Sequence, residues 1–148
     1  MKNELVILLA EDDEGHATLI KRNLNRAGIS NQIICFKDGQ ETLDFLFREG
    51  PGQHRESGKP YLLILDIRMP KIDGVQVLER LKRDPELKKI PVVMLTTTDD
   101  PREVDRCHRL GCSSYLTKPV DYERFVIAIR QLGLFLSIVQ FPTINGEG

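Results

Sequence analysis

The 148-residue chain balances 21 lysines and arginines against 22 aspartates and glutamates, and its formal charge of −1 gives no electrostatic footprint for nucleic acid. The length fits one domain able to bury a sizeable core. No apolar stretch approaches a membrane span, and Met1-Lys-Asn-Glu4 enters the first strand without a signal-peptide core, so a cytoplasmic protein with neither membrane nor nucleic acid as a partner is expected.

Residues 5 to 10 read as a buried strand (β1) ending at Glu11-Asp12-Asp13, and Glu14 to Ala27 as a helix (α1) with Ala17, Ile20 and Leu24 on one face, stopped by Gly28. Residues 32 to 36 form β2. Asp38, with Glu41 three places on, reads as an N-cap and capping box for α2, which runs through Leu43, Leu46 and Phe47. The segment Glu49 to Pro60 is too rich in glycine and proline for regular structure and reads as an exposed insertion; it lacks the spacing of a phosphate-binding glycine loop. The apolar run Tyr61-Leu-Leu-Ile-Leu65 (β3) closes on Asp66, and Asp73 caps α3, which carries Val75, Leu78 and Leu81. Val92-Val-Met-Leu95 (β4) stops at Thr96. Asp100-Pro-Arg-Glu103 reads as a capping box with proline at the first helical position of α4, ended by Gly111. Tyr115-Leu-Thr117 (β5) stops at Lys118-Pro119, and Asp121 caps the last helix (α5), whose later turns are apolar nearly all round through Val139.

Continuous apolar strands alternating with helices indicate a parallel sheet covered on both faces, whose carboxyl ends form the ligand crevice. Two such strands ending in acids would bring Glu11, Asp12 and Asp66 together if they are neighbours. Like charges at that range raise one another's pKa unless a cation joins them, and all-oxygen ligation suits magnesium better than zinc. With a hydroxyl at Thr96 and an ammonium at Lys118, the set suits a phosphoryl group in in-line transfer. Cys35, Cys107 and Cys112 are odd in number and form no CxxC pair, which argues against a disulfide framework; Cys107-His108 with Cys112 lacks a fourth zinc ligand. His16, His54 and His108 form no metal-binding pattern and read as surface or satisfied residues.

Glu11-Asp12, Leu65-Asp66-Ile-Arg-Met-Pro70 with Asp73-Gly74, Leu95-Thr96 and Lys118-Pro119 stand in order at four strand ends. On these motifs the chain resembles the receiver domain of two-component response regulators, over about residues 4 to 140. Its Leu95-Thr-Thr97 and Tyr115-Leu-Thr-Lys-Pro119 stretches, the loop before Tyr61 and the extended last helix are similar to the single-domain regulators of bacterial and cyanobacterial phytochromes. The resemblance implies a flavodoxin-like, doubly wound five-stranded parallel sheet of order 2-1-3-4-5 with five helices, a receiver domain over 1–141 and a flexible tail over 142–148.

It also implies roles. Asp66 would accept a phosphoryl group from a sensor histidine kinase, here a phytochrome, or from a small donor. Mg2+ would be held by Asp12, Asp66 and the backbone carbonyl of Arg68, with Glu11 acting through water. Lys118 and Thr96 would contact the phosphoryl oxygens, Thr96 and Tyr115 would switch the α4-β5-α5 face, and a cis bond would join Lys118 to Pro119. Arg68 and Thr98 stand where the family tunes attack by water, and Thr97 where it often has alanine or glycine. Homodimerisation through α4-β5-α5 and the last helix, or docking to a kinase, would cover the apolar surplus; a fold-back onto Phe141-Pro142 stays open. Two other readings compete. A haloacid dehalogenase-type phosphatase needs a second acid where Arg68 stands, and a phosphorylation-independent pseudo-receiver would not need a complete site.

Overall fold

The computed structural model describes residues 5–97, 100–118, 121–128 and 143–144. Strands β1 (Val6–Ala10), β2 (Ile33–Phe36), β3 (Lys59–Asp66), β4 (Val92–Thr96) and β5 (Ser114–Thr117) alternate with helices α1 (Glu14–Arg26), α2 (Gly39–Phe47), α3 (Gly74–Lys82) and α4 (Pro101–Arg109). A fifth helix, α5, covers 122–128 among the described residues. The strands pair in parallel in the order β2-β1-β3-β4-β5, as expected.

Period-two alternation sends each strand's side chains to opposite faces. Val6, Leu8 and Ala10 of β1, with Leu63, Leu65, Val92 and Met94, pack beneath Leu43 and Leu46 of α2, Val77, Leu78 and Leu81 of α3, and Cys107 of α4. On the other face, Ile7, Leu9, Leu62, Ile64, Val93 and Leu95 meet Ile20 and Leu24 of α1 and Phe125 and Ala128 of α5. Both faces of the central strands are therefore dry, which is why those strands read as unbroken apolar runs.

Side chains close the helix starts. Asp13 accepts from the His16 N–H, Asp38 from Glu41 N–H and Asp73 from Gln76 N–H, the last within a complete capping box. Two expected capping boxes differ. The Glu41 carboxylate takes the Lys37 N–H at 2.9 Å. The Asp100 carboxylate takes the Arg102 N–H, and Glu103 turns an oxygen to the Thr96 hydroxyl instead. A buried hydroxyl needing an acceptor competes well with an exposed backbone amide that water can serve.

The segment after α2 is mostly exposed, yet Arg55 turns inward and is 3% exposed. Its Nε donates to the Leu46 carbonyl at 2.7 Å, and another guanidinium nitrogen lies 3.4 Å from the Ile144 carbonyl. Residues Thr143–Ile144 form a sixth strand, β6, antiparallel to Lys59 and Pro60 of β3, and Ile144 is fully buried in the core. Within the tail expected to be flexible, these two residues pair with β3, and the rest of it lies outside the described residues. Ile144→Ala is expected to cost about 2–5 kcal/mol in urea unfolding, the range for deleting a buried aliphatic side chain. A change within experimental error would show that the tail is not docked. The later turns of the last helix and Phe141-Pro142 lie outside the described residues, as do Thr98 and Pro119, and with them the cis bond.

Candidate functional site

Because β1 and β3 are neighbours at the sheet centre, Glu11 and Asp12, just beyond β1, meet Asp66 at the end of β3, where the strand order reverses. One carboxylate oxygen from each of the three lies within 4.8 Å of the others. Glu11 and Asp66 are buried, at 5% and 3% exposure, while Asp12 is exposed. Burial pushes the Glu11 carboxyl above its ordinary range, and the neighbouring Asp66 adds to this; bonds from Lys118 and the Asp13 N–H pull it back. An all-oxygen, half-buried donor set of this kind fits a small hard divalent cation.

The β3–α3 turn holds Asp66 in place by backbone contact. Gly74 N–H donates to the Ile67 carbonyl at 2.7 Å, and a Cβ at Gly74 would lie 2.3 Å from the Asp66 carbonyl oxygen. Only glycine permits that approach. The Arg68 N–H reaches Asp66 Oδ1 at 3.4 Å, while the Arg68 side chain is exposed.

Lys118, after β5, extends back across β4's end with its side chain 7% exposed. Its Nζ lies 3.1 Å from Asp66 Oδ2 and also bonds Glu11 Oε1. The ammonium thus offsets part of the charge gathered by the three acids. Its backbone N–H donates to the Thr96 carbonyl, tying the two strand ends together. Thr96 is fully buried, its hydroxyl 3.4 Å from Glu103 Oε1 and hydrogen-bonded with the Tyr115 hydroxyl. Tyr115 is half-buried, and that burial raises the pKa of its phenol. Beside this group a cleft of about 460 Å³ separates the β3–α3 turn from α4, with Arg68 and Glu103 in its walls.

The acids and the lysine singled out in the sequence meet at the carboxyl ends of β1, β3 and β5; Thr96 is joined to them by its backbone bond to Lys118, and Tyr115 by its side-chain bond to Thr96. Sequence reasoning missed two neighbours. His16, passed over as a lone histidine, brings Nδ1 to 3.2 Å from Lys118 Nζ. Glu103, taken for a capping residue, reaches Thr96. Both occupy the third position of a helix that starts at the crevice, and helical side chains lean toward the helix N-terminus; that geometry was the available signal. Of the thiols, burial pushes Cys107 up to about 11, leaving it a protonated core residue, and Cys112 Sγ rests 3.7 Å from His108 Nδ1. No helix among the described residues is long and apolar enough to cross a membrane.

Comparison with known proteins agrees with the geometry. A receiver domain from Rhodospirillum rubrum has 47% identity and a TM-score of 0.79, covering 95% of this chain and 99% of that one. The bacteriophytochrome response regulator RtBRR has 41% identity and a TM-score of 0.77, over 86% of this chain and 77% of that one. The response regulator Rcp1 of Synechocystis is 38% identical across 113 residues, 76% of each protein. The model of the response regulator receiver domain matches residues 7–130. Since that span runs from the first strand of the sheet into its last helix, the chain belongs to the receiver domains of response regulators, and so to two-component signalling.

Proposed function

We propose that Asp66 is a phosphoacceptor. A carboxylate oxygen attacks the phosphorus of a phosphohistidine on a sensor histidine kinase, the N–P bond breaks with its electron pair returning to the imidazole, and Asp66 becomes an acyl phosphate. The observation that carries this reading is the contact between Lys118 Nζ and Asp66 Oδ2 inside a cluster of three acid oxygens. A buried ammonium placed there pairs with the carboxylate before transfer and with a phosphoryl oxygen afterwards, as a point charge. The chain thereby catalyses its own phosphorylation and dephosphorylation and has no separate substrate to turn over.

Asp12, Asp66 and the Arg68 carbonyl would hold Mg2+, with Glu11 acting through water. The cation would neutralise charge on the equatorial phosphoryl oxygens. A structure of Rcp1, 30% identical with a TM-score of 0.70, is a Mn(2+)-bound form. Receiver domains interact with sensor kinases, and similarity to bacteriophytochrome regulators favours a phytochrome as the kinase here. Homodimerisation through α4-β5-α5 belongs to the same reading; Ile127 on α5 is 59% exposed.

Thr96 and Tyr115 carry the readout. The Thr96 hydroxyl contacts Glu103 of α4, so movement toward a phosphoryl oxygen breaks a bond to the helix that must change. Glu103→Ala removes the competing acceptor and is expected to tighten beryllofluoride binding by up to about tenfold, the worth of one hydrogen bond. Titration followed by NMR checks this; unchanged or weaker binding would contradict it.

Incubation with acetyl phosphate, followed by intact mass, tests the function itself. One phosphoryl adduct per chain is expected with Mg2+ and none after chelation. Turnover of a phosphate monoester without a stable adduct would favour phosphatase chemistry instead.

A further inference from the structure

We propose that His16 is a positioning residue for Lys118, holding the ammonium in the crevice while the site is loaded; this rests on the phosphoacceptor reading above. A lysine ammonium has three N–H donors and no acceptor. The structure supplies three acceptors from three elements: Glu11 Oε1 beyond β1, Asp66 Oδ2 at 3.1 Å on β3, and His16 Nδ1 at 3.2 Å on α1. Two of the three belong to the acid cluster. Any divalent cation drawing on Glu11 and Asp66 weakens their hold on Lys118, and the acyl phosphate consumes the Asp66 oxygen. His16 is the acceptor that neither event claims.

Its placement is built in. The His16 N–H donates to the Asp13 cap at 3.0 Å, which fixes the first turn of α1 and points the ring back toward β1. Nδ1 lies 3.9 Å from Glu11 Oε2, beyond hydrogen-bond length, so its short polar contact in the crevice is with Lys118. An accepting Nδ1 places the ring hydrogen on Nε2. The imidazole is 42% exposed, so it closes the solvent side of a lysine that is otherwise enclosed.

The variants His16→Leu, which removes the acceptor at similar bulk, and His16→Asn, whose amide oxygen can stand near the place of Nδ1, separate positioning from packing. Three quantities are read on each: the acetyl phosphate reaction at saturating donor, beryllofluoride affinity, and Mg2+ affinity. His16→Leu is expected to slow the saturated reaction and weaken beryllofluoride by about tenfold, the loss of one hydrogen bond to a charged group. His16→Asn is expected to recover most of both. Mg2+ affinity should not fall in either variant, because His16 touches no cation ligand at bonding distance and Lys118 competes with the cation. Wild-type behaviour in His16→Leu would overturn the inference, and so would parallel loss of beryllofluoride and Mg2+ binding, which marks a general disturbance of the loop beyond β1. If wild type itself takes up no phosphoryl group, the reading of the whole site falls, and this inference with it.

Discussion

Asp66→Asn is expected to abolish phosphoryl uptake while leaving the metal-free fold at least as stable as the native one. The asparagine side chain keeps an acceptor for Lys118 and fills the same volume in a position 3% exposed, so packing is preserved. Its amide oxygen is too weak a nucleophile to form an acyl phosphate. The substitution also relieves repulsion, since the Asp66 charge is one of the causes that raise the Glu11 carboxyl. On the proposed ligand set, cation binding loses a charged ligand. Thermal unfolding should therefore show wild type gaining about 2.7 kcal/mol when Mg2+ stands a hundredfold above its dissociation constant, with the Asn variant gaining much less. A variant that still accepts phosphorus, or that responds to Mg2+ like wild type, would place the chemistry elsewhere.

The second large effect is expected from Lys118→Met, and its sign differs between binding and reaction. Methionine keeps the length of the side chain but removes the ammonium that Glu11, Asp66 and His16 share. Without Mg2+ the buried carboxylates lose their counter-charge, at a cost on the order of 3–5 kcal/mol for a broken buried pair. Mg2+ should bind more tightly than to wild type, because the competing cation in the same crevice is gone. Phosphorylation should nonetheless slow by about 100- to 1,000-fold, the usual cost of losing one charge-stabilising donor at the reacting oxygens. Calorimetric Mg2+ titration and acetyl phosphate kinetics on one preparation read both. Faster reaction alongside tighter Mg2+ would mean that Lys118 acts only as the cation's competitor.

What could be read from the sequence followed from local chemistry. The central strands are buried on both faces, so they read as unbroken apolar runs, and the polar residue closing each run marks the site directly: Glu11, Asp66 and Thr96, with Lys118 following the half-buried edge strand β5. Asp13, Asp38 and Asp73 stand at helix starts where the backbone amides need an acceptor, and Asp38 and Asp73 could be assigned as caps on spacing alone. Order β2-β1-β3-β4-β5 was different in kind, since apolar runs do not say which strands are neighbours; it came with the family resemblance.

Long-range pairing had no such signal. Ile144 sits in a short glycine-bearing tail, and its partners Arg55 and Lys59 lie more than eighty positions earlier in a segment of broken periodicity. Two residues of strand are too few to show alternation. His16 and Glu103 were hidden for another reason: each has an adequate local role, as a surface histidine and as a capping acid. Only the meeting of α1 and α4 at one crevice turns their side chains into partners of Lys118 and Thr96.

The proposed acyl phosphate is open to a chemical test of its position. Borohydride reduces an aspartyl phosphate to homoserine, so protein incubated with acetyl phosphate and Mg2+, then reduced and digested, reports the acceptor by peptide mass. Homoserine at position 66, absent when the cation is chelated, is the expected result. Homoserine at another aspartate, or none despite a phosphoryl adduct on the intact chain, would contradict Asp66 as the acceptor.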